Sequence, residues 1–212
     1  MGLFVNYSCV PLSFYQNSWQ QAKTYFDSSP FEVSESLKQL PYAMEVVKYD
    51  GSLSVMVLGY VDKANRLTYL DAEGNSLTLL NGKIIESHGF KNNMEIQNPP
   101  DINQIFLQLL NNEGSHYNYS SLIRFSNPAT PLMELITSYS IIENENRTFT
   151  RIIDSSRTPY IIIQEEYNVP LIHWKGSNIF WVGLNGEVLK SKQQIIPDEP
   201  KFQLETLKAF EG

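Results

Sequence analysis

Between Met44 and Ser87 the chain is cut into short apolar-rich runs by Asp50-Gly51, Asp62-Lys63-Ala64-Asn65, Glu73-Gly74-Asn75 and Asn81-Gly82. Connections this short, made of Gly, Asn and Asp, are hairpin loops, because those residues supply the positive φ that tight hairpin turns require. The runs they bound, 44–49, 53–61, 66–70, 76–80 and 83–87, read as an antiparallel meander. Longer strand-like runs follow at 117–125, 132–143, 147–154, 160–167, 178–184, 188–195 and 202–209. A sheet of so many strands must curl or split into two layers. The fold expected is all-β or strongly β-weighted: a large antiparallel meander curling into an open or half barrel or a sandwich, with two short helices.

The first of those helices is signalled by Ser18-Trp19-Gln20-Gln21, a Ser-x-x-Gln capping box, followed by Trp19, Ala22, Tyr25 and Phe26 on one stripe as far as Asp27. The second follows Pro99-Pro100-Asp101, which stops the preceding segment and caps the next. Ile102, Ile105, Phe106, Leu109 and Leu110 then fall at i, i+3, i+4, i+7 and i+8. This helix is expected to plug or flank the concave side of the sheet. Ser54 to Val61 is apolar on both alternating faces and belongs in the middle of the structure, whereas Arg147 to Asp154 alternates like a half-solvated strand.

A length of 212 residues, 42% hydrophobic and 18% charged, suits one globular domain. No apolar run reaches the roughly 18 residues that a spanning helix needs. With 16 Lys+Arg against 23 Asp+Glu, the net charge of -7 repels a phosphate backbone and excludes nucleic acid as a partner. His88, His116 and His173 are far apart, and no metal-ligand spacing, nucleophile elbow or phosphate-cradling loop is present. The sequence therefore offers no catalytic residues, no metal ligands and no cofactor. Carboxylate pairs at Glu143 and Glu145, Glu165 and Glu166, or Asp198 and Glu199 could serve a glycosidase only if two carboxyls stood about 5 to 9.5 Å apart across a cleft. Solvated turns and strand edges are their ordinary use. Aromatic residues make up 12% of the chain. Tyr117, Tyr119, Trp174 and Trp181 are candidates for ligand binding, because rings on strands make stacking platforms for sugars, although core packing accounts for such residues as well.

The one cysteine, Cys9, follows Ser8 and a scrap of apolar sequence. A lipobox places a small residue just before its cysteine, as here, and an aliphatic residue at the third position before it, where this chain has Asn6; a basic n-region and a full apolar h-region are missing. On these residues alone Cys9 is either an ordinary thiol or the end of a lipoprotein signal.

Three longer stretches bear on that choice: LPYAMEVVKYDGSLSVMVLGYV (Leu40 to Val61), LLNGKIIESHGFKNNM (Leu79 to Met94) and IFWVGLNGEVLKSKQQIIPDEPKFQLETLKAF (Ile179 to Phe210). Together they resemble the YjbF/GfcB-type (YmcC-like) lipoproteins encoded with bacterial capsule and exopolysaccharide export systems. The family carries an acylated cysteine ahead of its Leu-Pro-Tyr segment, and here Cys9 stands 40 − 9 = 31 positions before Leu40. The resemblance implies lipid attachment at Cys9, with residues 1–14 as a truncated signal and tether and 15–212 as a single periplasmic β-rich domain. It implies location at the inner face of the outer membrane, and a non-enzymatic role in capsule or exopolysaccharide assembly or export by contact with glycan or export proteins. The hairpin Trp181 to Gln193 also looks like that of half-barrel lipoprotein carriers. That likeness leaves an alternative: a groove for an acyl chain or other hydrophobic ligand, lidded by the Ile102 to Leu110 helix. A polysaccharide-modifying hydrolase is the remote third reading.

Overall fold

The computed structural model describes residues 39–111, 116–150 and 156–210. Among them are twelve strands and one α-helix. In chain order these are β1 (Met44–Tyr49), β2 (Ser52–Val61), β3 (Leu67–Leu70), β4 (Ser76–Leu80), β5 (Lys83–His88), β6 (Met94–Gln97), α1 (Ile102–Leu110) and β7 (Tyr117–Phe125). Then come β8 (Met133–Thr150), β9 (Arg157–Val169), β10 (Trp174–Gly183), β11 (Val188–Gln193) and β12 (Phe202–Lys208). The tether at 1–14, Cys9 and the helix expected at Trp19 to Asp27 lie outside the described residues.

Each strand pairs antiparallel with its neighbours in sequence, and β12 returns to pair with β1, so the sheet is a closed barrel. This corrects the open or half barrel or sandwich expected from the sequence. Closure rests on one long-range register, from Met44↔Lys208 to Lys48↔Gln203, that no local pattern announces. It removes both exposed edges of the sheet, the usual liability of a long meander.

The turns behave as their residues dictate. Asn81 and Gly82 both take positive φ (51° and 85°), as the central pair of a type I′ hairpin turn must. A Cβ on Gly82 would also lie 2.5 Å from Val188 Cβ, so this position has neither the conformation nor the room for a side chain. At Glu143 to Arg147, where the sequence reads as a break between two strands, β8 instead runs through. The register passes from Glu143↔Ile162 to Arg147↔Tyr160, leaving residues 144–146 as a bulge opposite one residue of β9. The four-residue β6 has no counterpart among the expected strands.

Asp101 caps α1 by accepting from the Gln104 backbone N–H at 3.3 Å. The buried stripe Ile102, Ile105, Phe106 and Leu109 packs on inward-facing Tyr139, Ile161, Ile163, Phe180 and Val182. The helix therefore plugs the barrel end from which β7, β9 and β11 rise. Each fully buried side chain of that size contributes about 1.5–3 kcal/mol. Rings close the opposite end: Tyr49 stacks on Phe202 at 4.1 Å, and Phe90 meets Phe202 edge-on at 5.2 Å. In β2, Met56 faces the interior while Val55 and Val57 join Met44, Val46 and Leu207 in a second buried cluster on the outer wall. The strand is thus covered on both faces at its centre, as its two-sided apolar pattern requires, although Tyr60 near its end is exposed.

Candidate functional site

Period-two alternation in β9 places Ile161, Ile163, Glu165, Tyr167 and Val169 on the lumen side. Glu165 is consequently a carboxylate in an apolar interior, and three side chains from other strands satisfy it. Lys83 of β5 forms an ion pair and hydrogen bond with its Oε1, and Lys83 Nζ also donates to the Tyr139 hydroxyl at 2.9 Å. That hydroxyl donates in turn to Glu165 Oε1 at 2.7 Å, and Asn178 Nδ2 donates to Oε2 at 2.8 Å. Asn178 Oδ1 accepts the Gln194 backbone N–H, while Gln193 bridges the Ile84 N–H and the Gly82 carbonyl. Burial and the adjacent Glu165 push the Tyr139 phenol well above its usual range, so it remains a donor.

The network is fully inside: Lys83 is 4% and Glu165 0% exposed. Beside it, lined by Ile84, Ile123, Leu135, Trp174 and Ile195 among others, is a cavity of about 20 Å³. That is room for about one water. Among the described residues the lumen is therefore packed with side chains beside the network, which leaves no groove there for an acyl chain. Sequence reasoning paired Glu165 with Glu166 as carboxylates and overlooked Lys83, Asn178 and Gln193. The alternation in IIIQEEY could have shown that only Glu165 faces inward and so needs a buried cation.

A second buried carboxyl, Glu45 of β1, accepts from Thr206 Oγ1 at 3.0 Å. Desolvation, with added repulsion from Glu205 and Glu187, pushes it up to about 8 against the lowering effect of the Thr206 hydrogen bond.

The four aromatic candidates do not converge. Trp174 is half-buried on the inner side of β10, against Phe125 at 5.7 Å and Tyr167 at 4.6 Å. Trp181 is on the opposite, outer face of the same strand, with Lys190 Nζ 5.8 Å from its ring centroid. Tyr117 and Tyr119 share one face of β7 near the plugged end, and Tyr117 is exposed. Glu165 and Glu166 point to opposite faces of the wall, and Glu199 accepts from the Tyr49 hydroxyl. Glu86 and Glu95 stand opposite one another in an outer hollow, but His88 takes the first and Arg124 the second. Among the described residues no group of three or more His, Cys, Asp or Glu is placed to hold a metal ion. No described helix is long and apolar enough to cross a membrane.

Among the described residues, fold and interior together define a closed antiparallel β-barrel whose lumen is filled by side chains. Residues 25–207 match the family described as "Group 4 capsule polysaccharide lipoprotein gfcB, YjbF", and the chain belongs to that family. The fold is similar to the crystal structure of the hypothetical lipoprotein YmcC from Escherichia coli (K12), with a TM-score of 0.71 and 21% identity over 91% of this chain and 95% of that one. No curated protein matches the chain.

Proposed function

We propose that this protein is a periplasm-facing accessory of capsule or exopolysaccharide export, anchored through Cys9 to the outer membrane and acting by binding glycan or neighbouring export proteins. The observation that carries the reading is the family match across 25–207, whose description names both a capsule polysaccharide and a lipoprotein. The filled lumen supports contact through the outer surface over transport of an enclosed ligand. Residues on that wall and rim, with the exposed Tyr117 and the half-buried Trp181 among them, are where such contacts form.

The test is deletion of the gene in its host, complemented with the wild-type chain or with Cys9→Ser, with secreted polysaccharide and membrane fractionation as the readouts. The expected result is loss of export on deletion, recovery with the wild type, and a Cys9→Ser protein released from the membrane with export impaired. Unchanged polysaccharide in the deletion strain overturns the role in export. Unmodified Cys9 in intact-mass analysis of the native protein overturns the anchor.

A further inference from the structure

Three lysines stand together on the outer wall of a chain whose acids outnumber its bases by 23 to 16. The register pairs Lys48 of β1 with Gln203 of β12, and Gln203 with Lys192 of β11. The three form one row across adjacent strands, so Lys48 and Lys192, two strands apart, have backbones roughly 10 Å from each other. Inward-facing neighbours on each strand (Val47, Ser191, Gln193, Phe202 and Leu204) fix this row on the outside. Just ahead of β12, Lys201 joins them along a hollow of about 390 Å³ lined by Lys48, Asp50, Gly51, Lys192, Pro200, Lys201 and Gln203.

Five cations among the described residues are paired with a carboxylate: Arg66 with Asp62, Lys83 with Glu165, Lys91 with Glu199, Arg124 with Glu95, and Lys190 with Glu205. Among the described residues, Lys48, Lys192 and Lys201 have no carboxylate within ion-pair distance. Lys201 Nζ instead donates to the Ser177 carbonyl at 2.6 Å, which holds the charge in place without neutralising it. Desolvation first and Lys192 second lower the Lys201 pKa, the mark of like charges facing the same space. Like charges side by side on a sheet are destabilising, and an anion between them relieves that cost.

We propose that Lys48, Lys192 and Lys201, with the Gln203 amide between them, form a subsite for the carboxylate groups of an acidic polysaccharide; this rests on the reading of the protein as a polysaccharide-export accessory. The row offers positive charges about a disaccharide apart, and an amide for hydroxyl groups in between. Lysine is a flexible point charge rather than a rigid bidentate fork, which suits a polymer held without fixed register. Nucleic acid fits poorly: the hollow has no ring on which a base could stack. A membrane surface also fits poorly, because the lining of the hollow offers no large apolar side chain to enter a bilayer.

The experiment titrates the full chain with alginate oligosaccharides, a polymer of uronic acids, and in parallel with neutral dextran and with phosphatidylglycerol vesicles. Lys48→Gln/Lys192→Gln is the variant, both positions being exposed, and Lys63→Gln in the β2–β3 turn is the control. Expected are salt-sensitive binding of alginate, little of dextran, and affinity on the order of 30-fold weaker in the double variant but unchanged in the control. Alginate binding equal in wild type and double variant overturns the subsite, as does lysine-dependent binding to vesicles alone. If dextran and alginate bind equally and independently of the lysines, this inference fails while the polysaccharide reading stands. If the lysines bind alginate but deletion of the gene leaves export unchanged, the reading of function fails and the subsite remains.

Discussion

Lys83 and Glu165, 82 residues apart in sequence, meet as an ion pair inside the barrel, with the Tyr139 hydroxyl bonded to both. Removing one partner leaves the other charged and buried. Lys83→Met is therefore expected to cost about 3–5 kcal/mol of stability, whereas Lys83→Met with Glu165→Leu recovers much of that loss. Urea denaturation of the two single variants and the double completes the cycle. Single effects that simply add would show that the two side chains are not coupled.

Glu45 gives the fold a pH dependence of definite sign. Its carboxyl has an ordinary value of 4.5 and is pushed up to about 8 in the folded chain, chiefly by burial. The folded state thus holds a proton that the unfolded state releases. This contribution is fully present below about 4.5 and is lost as pH rises through about 8, an effect of the order of 5 kcal/mol. Chemical denaturation of wild type and Glu45→Gln from pH 5 to 9 should show a downward slope in the first that is absent from the second.

Gly82 and Gly51 both have positive φ, 85° and 76°, but only Gly82 has a neighbour, Val188, where a side chain would go. Gly51→Ala should cost about 1 kcal/mol from backbone strain alone. Gly82→Ala should cost distinctly more, because Val188 must also move. Melting temperatures of the two variants, measured side by side, check the order.

Asp101 does two jobs with one carboxylate oxygen, accepting from Gln104 N–H at 3.3 Å and from Asn81 Nδ2 at 2.8 Å. Asp101→Ala should remove about 1 kcal/mol as a lost cap. It should also raise hydrogen exchange across α1 more than in the strands, since Asn81 ties the helix start to the β4–β5 turn. Uniform exchange across helix and barrel would count against that tie.

Much of the barrel was legible because its information is local. Asn81-Gly82 names its own turn, and Ile102 to Leu110 declares both its cap and its buried stripe. Where neighbours far away in sequence decide the outcome, the pattern was silent. Closure depends on Lys48 finding Gln203. The bulge at 144–146 presents the same Glu-Asn composition as a turn, and only pairing with β9 distinguishes the two. The interior network was half-legible: strand alternation points Glu165 inward, but nothing near it in sequence selects Lys83 as its partner. The lysine row was invisible for the same reason, since Lys48, Lys192 and Lys201 become neighbours only through β12.

The β1–β12 seam also sets the order of events as the molecule is made. A chain delivered one end at a time can form its early hairpins, but the ring stays unlocked, with β1 lacking a mate on one side, until Phe202 to Lys208 arrives. Contacts of such high sequence separation form slowly. A nascent chain cut short before β12 would therefore never acquire the finished wall or the Lys48–Gln203–Lys192 row, so assembly and surface chemistry come into being in the same late step.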